Sequence, residues 1–198
     1  MPSIRFSNVS KLFGSEKMAL EAVTFQIQAG ERLGIIGSNG AGKSTLLSIM
    51  SGITEASTGS VSVEGNVASV LSLGSTYRDE LTGRELILQE YKLRGASDRE
   101  AREALNEAVA FADVGQFIDL PLRTYSSGMK ARVLFAASVF AAPDILILDE
   151  TLSVGDYSFN AKAESRMLQM VKQGSILVFT SHSMNAILSL CTRCIWLD

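Results

Sequence analysis

The sequence predicts an α/β fold: a mostly parallel sheet covered by helices on both faces, an N-terminal antiparallel β part and a helical insertion. Three observations lead there. Arg32–Gly37, Ile145–Leu148 and Ile176–Thr180 are short, nearly continuous apolar runs, the pattern of strands buried on both faces rather than one. Stretches of helical periodicity separate these runs, as alternating strands and helices require. The first run passes directly into a glycine-rich loop that opens a helix.

Taken in chain order, Ile4–Val9 and Glu21–Ile27 alternate enough to read as antiparallel strands. Arg32–Gly37 follows as the first buried strand, and Lys43–Met50 as a helix that Gly52 terminates. From Ser60 to Ser72 the alternation returns, with Val61, Val63, Val67, Val70 and Leu71 in strand-like spacing. Thr82 to about Phe117 changes to helical periodicity. Two helices fit there, parted near Gly95–Asp98, with Ser97 as N-cap and Glu100 completing a capping box. Ser127–Ala142 is a further helix, stopped by Pro143. The strand Ile145–Leu148, a helix over Asn160–Lys172, the strand Ile176–Thr180, a helix over Met184–Leu190 and a strand over Cys194–Leu197 complete the order.

At 198 residues and 46% hydrophobic, the chain can build one substantial domain. Its 18 basic and 21 acidic residues are intermingled and give a net charge of −3, which shows no nucleic-acid footprint. Only three prolines occur, and no stretch is of low complexity. Met1 opens a polar, strand-like run with no secretory pattern, and the longest apolar stretch, Val133–Ala142, falls short of the ~20 residues a membrane crossing takes. The expected place is the cytosol or the cytosolic face of a membrane. Cys191 and Cys194 form a lone C-x-x-C. It lacks further ligands at zinc spacing and closes a helix rather than opening one. Buried, reduced structural thiols are the expected reading.

Two segments look built to hold phosphate. Gly37-Ser38-Asn39-Gly40-Ala41-Gly42-Lys43-Ser44-Thr45 matches G-x-x-x-x-G-K-[ST] between a strand and a helix. In such a P-loop, backbone N–H groups and the helix N-terminus cradle the phosphates, Lys43 reaches the β- and γ-phosphates, and the Ser44 hydroxyl binds Mg²⁺. Asp149 and Glu150 end a buried strand, where ligands gather in open α/β sheets. Asp149 is placed to hold Mg²⁺, directly or through water, and Glu150 to orient and deprotonate an attacking water. His182 follows another apolar strand at the same expected edge, where a neutral imidazole can contact the γ-phosphate. The second segment, Tyr125-Ser126-Ser127-Gly128-Met129-Lys130, puts hydroxyls and a glycine at a helix N-terminus. That is a plausible N-cap and equally an anion site. One nucleotide needs one cradle, so the second most simply meets a nucleotide held by another copy.

These residues together resemble the nucleotide-binding domain of ATP-binding cassette (ABC) proteins, a P-loop NTPase fold, across almost the whole chain. Gly37–Thr45 looks like Walker A, Ile145–Glu150 like Walker B, Ser126–Met129 like the signature, Ser153-Val154-Gly155-Asp156 like the D-loop and His182 like the H-loop. Phe13, within Ser10-Lys11-Leu12-Phe13-Gly14, aligns with the aromatic that stacks on adenine in this family. Otherwise it is a half-buried aromatic at a strand end. The resemblance implies one domain over 1–198, with an ATP-binding core over 1–81 and 118–198 and a helical insertion over 82–117.

Finer features resemble the exporters of capsular polysaccharide, O-antigen and teichoic acid. They are Tyr125–Arg132, Val154-Gly155-Asp156 and Leu81-Thr82-Gly83-Arg84-Glu85. Ser127 stands where the signature usually has its first glycine, Met129 where it often has glutamine, and Leu71–Leu81 contains no glutamine for a Q-loop. The resemblance implies ATP and Mg²⁺ as ligands and two copies of the chain sandwiching ATP between the Gly37–Thr45 loop of one and Ser126–Gly128 of the other. It also implies separate multi-spanning permease subunits, a lipid-linked glycan as cargo and a peripheral place on the cytoplasmic face of the cell membrane. A soluble ABC-type ATPase acting on nucleic acid or ribosomes is the alternative. The coiled-coil arms, fused second cassette or basic extensions of such proteins are not visible here.

Overall fold

The computed structural model describes residues 1–14, 17–70, 78–149, 157–181 and 184–198. Two sheets organise the first of two compact units. Strands β1 (Ser3–Phe13), β2 (Lys17–Gln28) and β4 (Thr58–Glu64) form an antiparallel sheet in the order β2-β1-β4. Strands β3 (Arg32–Gly37), β5 (Val67–Val70), β6 (Ile145–Leu148), β7 (Ile176–Thr180) and β8 (Arg193–Leu197) form a parallel sheet in the order β5-β6-β7-β3-β8. The parallel core and the antiparallel part expected from the sequence are both present.

Helix α1 (Lys43–Met50) lies between the two sheets. Leu46, Leu47, Ile49 and Met50 share one core with Ile4, Phe6 and Ile27 of the antiparallel sheet and with Leu33, Ile35, Ile147 and Val178 of the parallel sheet. A helix buried on opposite sides needs apolar residues around most of its girth, and the run Leu-Leu-Ser-Ile-Met supplies them. The opposite face of β3 meets α6 (Met184–Leu190): a Cβ on Gly34 would lie 3.1 Å from Ile187 Cγ2, so the glycine admits a close helix.

Ser60–Ser72, read from its alternation as one strand-like stretch, is divided. Its first part extends β4 and its second forms β5 in the other sheet. The chain changes sheets at Gly65-Asn66. Gly65 has φ +116° with its open side against Asp144 Cβ, and the Asn66 amide donates to Asp144 Oδ2 at 2.8 Å. Alternation along a strand does not register such a switch.

The second unit holds α2 (Gly83–Leu93), α3 (Asp98–Ala112) and α4 (Ser127–Phe140). Two 3-10 turns, Gly115–Asp119 and Leu122–Thr124, join α3 to α4. Helix α5 (Tyr157–Lys172) contributes to this unit up to Arg166 and to the first unit from Met167. The capping box at Ser97–Glu100 forms as expected, and a second one forms at Thr82–Glu85. The unit has its own core, in which Leu86, Ile87 and Tyr91 of α2, Ala101 and Leu105 of α3, and Val133, Leu134 and Ala137 of α4 are buried. Phe111 sits among the rings of Phe135, Phe140 and Phe159 with centroids 5.2–5.9 Å away. Among the described residues, no helix is long and apolar enough to cross a membrane.

Candidate functional site

The parallel sheet sets the site. Strands β6, β7 and β3 are neighbours, with Leu148 opposite Phe179 and Ile35 opposite Thr180. Their carboxyl ends therefore share one edge, and the chain leaves that edge at Asp149, Ser181 and Gly37. Ligands bind at this end of open α/β sheets because loops and helix N-termini converge there.

From Gly37 the chain makes a tight turn, the Ala41 amide donating to Ser38 O at 3.3 Å, and enters α1 at Lys43. The N-cap residue is Gly42, at φ +93°. No side chain caps this helix and no acidic residue lies in its first turn, so nothing in the cap answers the positive end of the helix dipole. Gly42 is also packed tightly: a Cβ there would sit 2.3 Å from the Ala19 carbonyl oxygen of β2. The Lys43 ammonium folds over the loop, donating to Gly37 O at 2.7 Å and Ser38 O at 2.9 Å. Ser38, Asn39, Gly40 and Ser44 are exposed, while Ala41 and Thr45 are half-buried. Exposed loop residues, a bare helix N-terminus and a cation are the parts from which anion sites are built.

Phe13 ends β1 and is 45% exposed, with the Lys11 ammonium 5.0 Å from its ring centroid. It pairs with Lys17, two residues from the Ala19 that Gly42 abuts. The aromatic thus stands at the end of the hairpin nearest the glycine loop. At the end of β6, Asp149 Oδ1 accepts a 2.5 Å hydrogen bond from the Thr180 hydroxyl, and Thr180 is fully buried. This places a carboxylate of fixed orientation on the same edge. The sequence reading had no role for Thr180. Its signal was a single hydroxyl closing an otherwise apolar strand beside the strand that ends in two acids. Glu150, Ser153–Asp156, His182 and the glutamine-free stretch up to Tyr77 lie outside the described residues.

The second predicted segment belongs to the second unit. Ser126 is the N-cap of α4, its hydroxyl accepting from the Met129 amide at 3.2 Å. Ser126 and Ser127 are exposed and Gly128 is half-buried, again with no acidic residue in the first turn. Just before them Tyr125 is buried, and its hydroxyl donates to Phe117 O at 2.6 Å. Burial pushes the Tyr125 phenol above its ordinary value, so it stays a neutral donor.

The sheet edge thus carries a glycine loop with a cation at a bare helix start, and the second unit a helix start with exposed hydroxyls. Residues 20–153, more than half of the chain, match the family model described as ABC transporter. The chain belongs to the ABC transporter family. Among curated ABC proteins, it is 41% identical to the O-antigen export system ATP-binding protein RfbB of Klebsiella pneumoniae, over 94% of this chain and 76% of that one. It is also 41% identical to the teichoic acids export ATP-binding protein TagH of Enterococcus faecalis, over 90% of this chain but 40% of that one. The structure of an ATP-binding subunit of an ABC transporter superposes with a TM-score of 0.91 at 23% identity, covering 98% of this chain and 85% of that one. A dimeric ATP-binding cassette in a post-hydrolysis state with ADP and Pi superposes with a TM-score of 0.86 at 24% identity, over 98% and 94% of the two chains. Both likenesses are of fold.

The cysteine pair of this ABC chain differs from expectation. Cys191 and Cys194 are free, as expected, but Cys191 is half-buried and Cys194 exposed. Among the described residues, strand β8 is the edge of the parallel sheet, paired only with β3, and its first residues face solvent. Burial, with the Cys194 sulfur nearby, pushes the Cys191 thiol up to about 12. A thiol so held is a poor nucleophile at neutral pH.

Proposed function

We propose that the chain is the ATP-binding and ATP-hydrolysing subunit of an ABC exporter whose cargo is a lipid-linked polysaccharide or related glycan. The observation that carries the ATPase reading is the convergence, on one sheet edge, of a bare helix N-terminus, Lys43 and the carboxylate of Asp149. The 41% identity to an O-antigen export protein over nearly the whole chain supports the cargo class.

In this reading the whole chain acts as one ATPase domain, with a core over 1–81 and 118–198 and a helical insertion over 82–117. The amides of Gly37–Thr45 hold the phosphates, Lys43 turns from its loop carbonyls to the β- and γ-phosphates, and Phe13 stacks on the adenine. Mg²⁺ fits the donor set: the exposed Ser44 hydroxyl in the first turn of α1 and the Asp149 carboxylate are hard oxygen ligands. When bound, the ion neutralises phosphate charge and orients the group transferred. Thr180 keeps Asp149 aimed. Glu150 takes a proton from the attacking water, and His182 steadies the γ-phosphate and that water. Ser126, Ser127 and Gly128 complete the site of a second copy, so two chains close on ATP and reopen after hydrolysis. Closing draws on permease subunits at the cytoplasmic face of the membrane.

The test uses the chain co-expressed with its neighbouring permease. Glu150→Gln keeps ATP binding and loses turnover, and its ATP-bound form runs as a dimer on size-exclusion chromatography. Glu150→Gln hydrolysing at the wild-type rate overturns the base role. Deleting the chain leaves lipid-linked glycan on the cytoplasmic side of the membrane. Recovery of the chain on ribosomes or nucleic acid, with glycan export intact, overturns the transport reading.

A further inference from the structure

The second anion segment is gripped from both flanks by one residue. Asp79 O accepts the Arg123 amide at 3.0 Å, three positions before Ser126. The carboxylate of the same residue pairs with Lys130 Nζ at 2.8 Å, four positions after Ser126. Around this grip, the Leu122 amide donates to Leu81 O at 2.8 Å, Thr82 bridges Pro121, and the Tyr125 hydroxyl packs against Gly83. The strand-like contact of 79–82 with 121–123 thus frames the start of α4, and the ion pair closes the frame across the helix's first turns.

An exposed ion pair alone is worth little, because water screens it and two side chains lose freedom. Here the cost is reduced. The Lys130 side chain is 25% exposed, and Asp79 is held by its own backbone bond whether or not the charges meet. The pair also lies beside the hydroxyls that must meet a phosphate, where a small tilt of α4 moves them out of hydrogen-bond reach.

We propose that Asp79 and Lys130 are a positioning pair that sets the orientation of Ser126–Gly128 toward the nucleotide of the partner copy. They act through the helix start and touch no phosphate. This deepens the ATPase reading and rests on it.

The test measures ATP turnover of the permease complex together with nucleotide binding by the isolated chain. Asp79→Asn and Lys130→Met each lower turnover roughly five-fold or more, the range expected for coupled neighbouring charges. Both leave single-chain ATP binding unchanged, since that uses Gly37–Thr45. They also raise the ATP concentration needed for dimer formation in the Glu150→Gln background. Lys130→Arg retains turnover, and the swap Asp79→Lys with Lys130→Asp restores it above either single variant. Wild-type turnover and dimerisation in Asp79→Asn overturn the pair while leaving the ATPase reading standing. A swap that rescues nothing, with melting temperatures unchanged, overturns it also. A wild-type complex that does not hydrolyse ATP overturns the ATPase reading and the pair with it.

Discussion

Replacing Gly42 by alanine separates two costs that glycine conceals. At φ +93° an L-residue bears a conformational strain of about 1–2 kcal/mol. The new methyl would also lie 2.3 Å from Ala19 O and 2.8 Å from Leu20 Cδ2. Leu20 is buried in the core and Ala19 O is backbone of β2, so neither yields freely. Overpacking of this kind adds about 1–3 kcal/mol. Gly40 is the internal control: its φ is +89°, yet a Cβ there meets nothing within 4 Å. Gly40→Ala therefore bears the strain alone. For a chain of this length each kcal/mol moves the melting temperature by about 2–4 °C, so Gly42→Ala melts roughly 2–12 °C below Gly40→Ala. Differential scanning fluorimetry of both variants without nucleotide gives the comparison. Equal melting temperatures would refute the idea that β2 walls the loop from behind.

Other outcomes follow from the same geometry. Lys43→Ala removes the ammonium that covers the loop and lowers ATP turnover about 100-fold or more, with little change in melting temperature; near-normal phosphate release would contradict its role. Thr180→Val deletes a buried donor to a carboxylate and destabilises by about 1.5–3 kcal/mol in urea titrations. Thr180→Ser retains most of that stability and of the turnover. Ser97→Ala loses a cap and lowers the melting temperature by about 2–4 °C at neutral pH. The hydrogen bond from the Ser97 hydroxyl, then that from its amide, holds the Glu100 carboxyl below its ordinary 4.5. A depressed acid stabilises above its unfolded pKa and loses that contribution as pH falls through the folded one. The gap between wild type and Ser97→Ala must therefore narrow below pH 4.5. A gap that widens there would refute the assignment.

Much of the core was legible because its physics is local. Residues 145–148 and 176–179 are uniformly apolar since both faces of their sheet are covered, and Gly42 and Lys43 mark a helix start by themselves. Ser97 announced its cap through Glu100 three positions on. What stayed hidden depends on residues far apart in the chain. Gly65 turns β4 into β5 because Asp144 waits beside it, and Cys194 is exposed because the sheet ends with its strand. Thr180 finds Asp149 only after β6 and β7 are laid side by side, and Lys130 finds Asp79 only once the helices are packed. Periodicity gives which face of an element is buried but not what lies across from it.

The strand order also fixes when the Gly37–Thr45 loop can take its final place. Strand β3 leaves the ribosome well before either of its neighbours: Arg32 pairs with Leu177 and Gly37 with Leu197. At a synthesis rate of about 5–20 residues per second, β3 waits roughly 10–30 s for partners. During that interval the hairpin β1–β2, β4 and α1 can gather through local contacts, but the glycine loop hangs from a strand with no hydrogen-bonded neighbour. Such late, long-range pairing is slow to form. Nucleotide can therefore stabilise this loop only once β7 and β8 have docked beside β3.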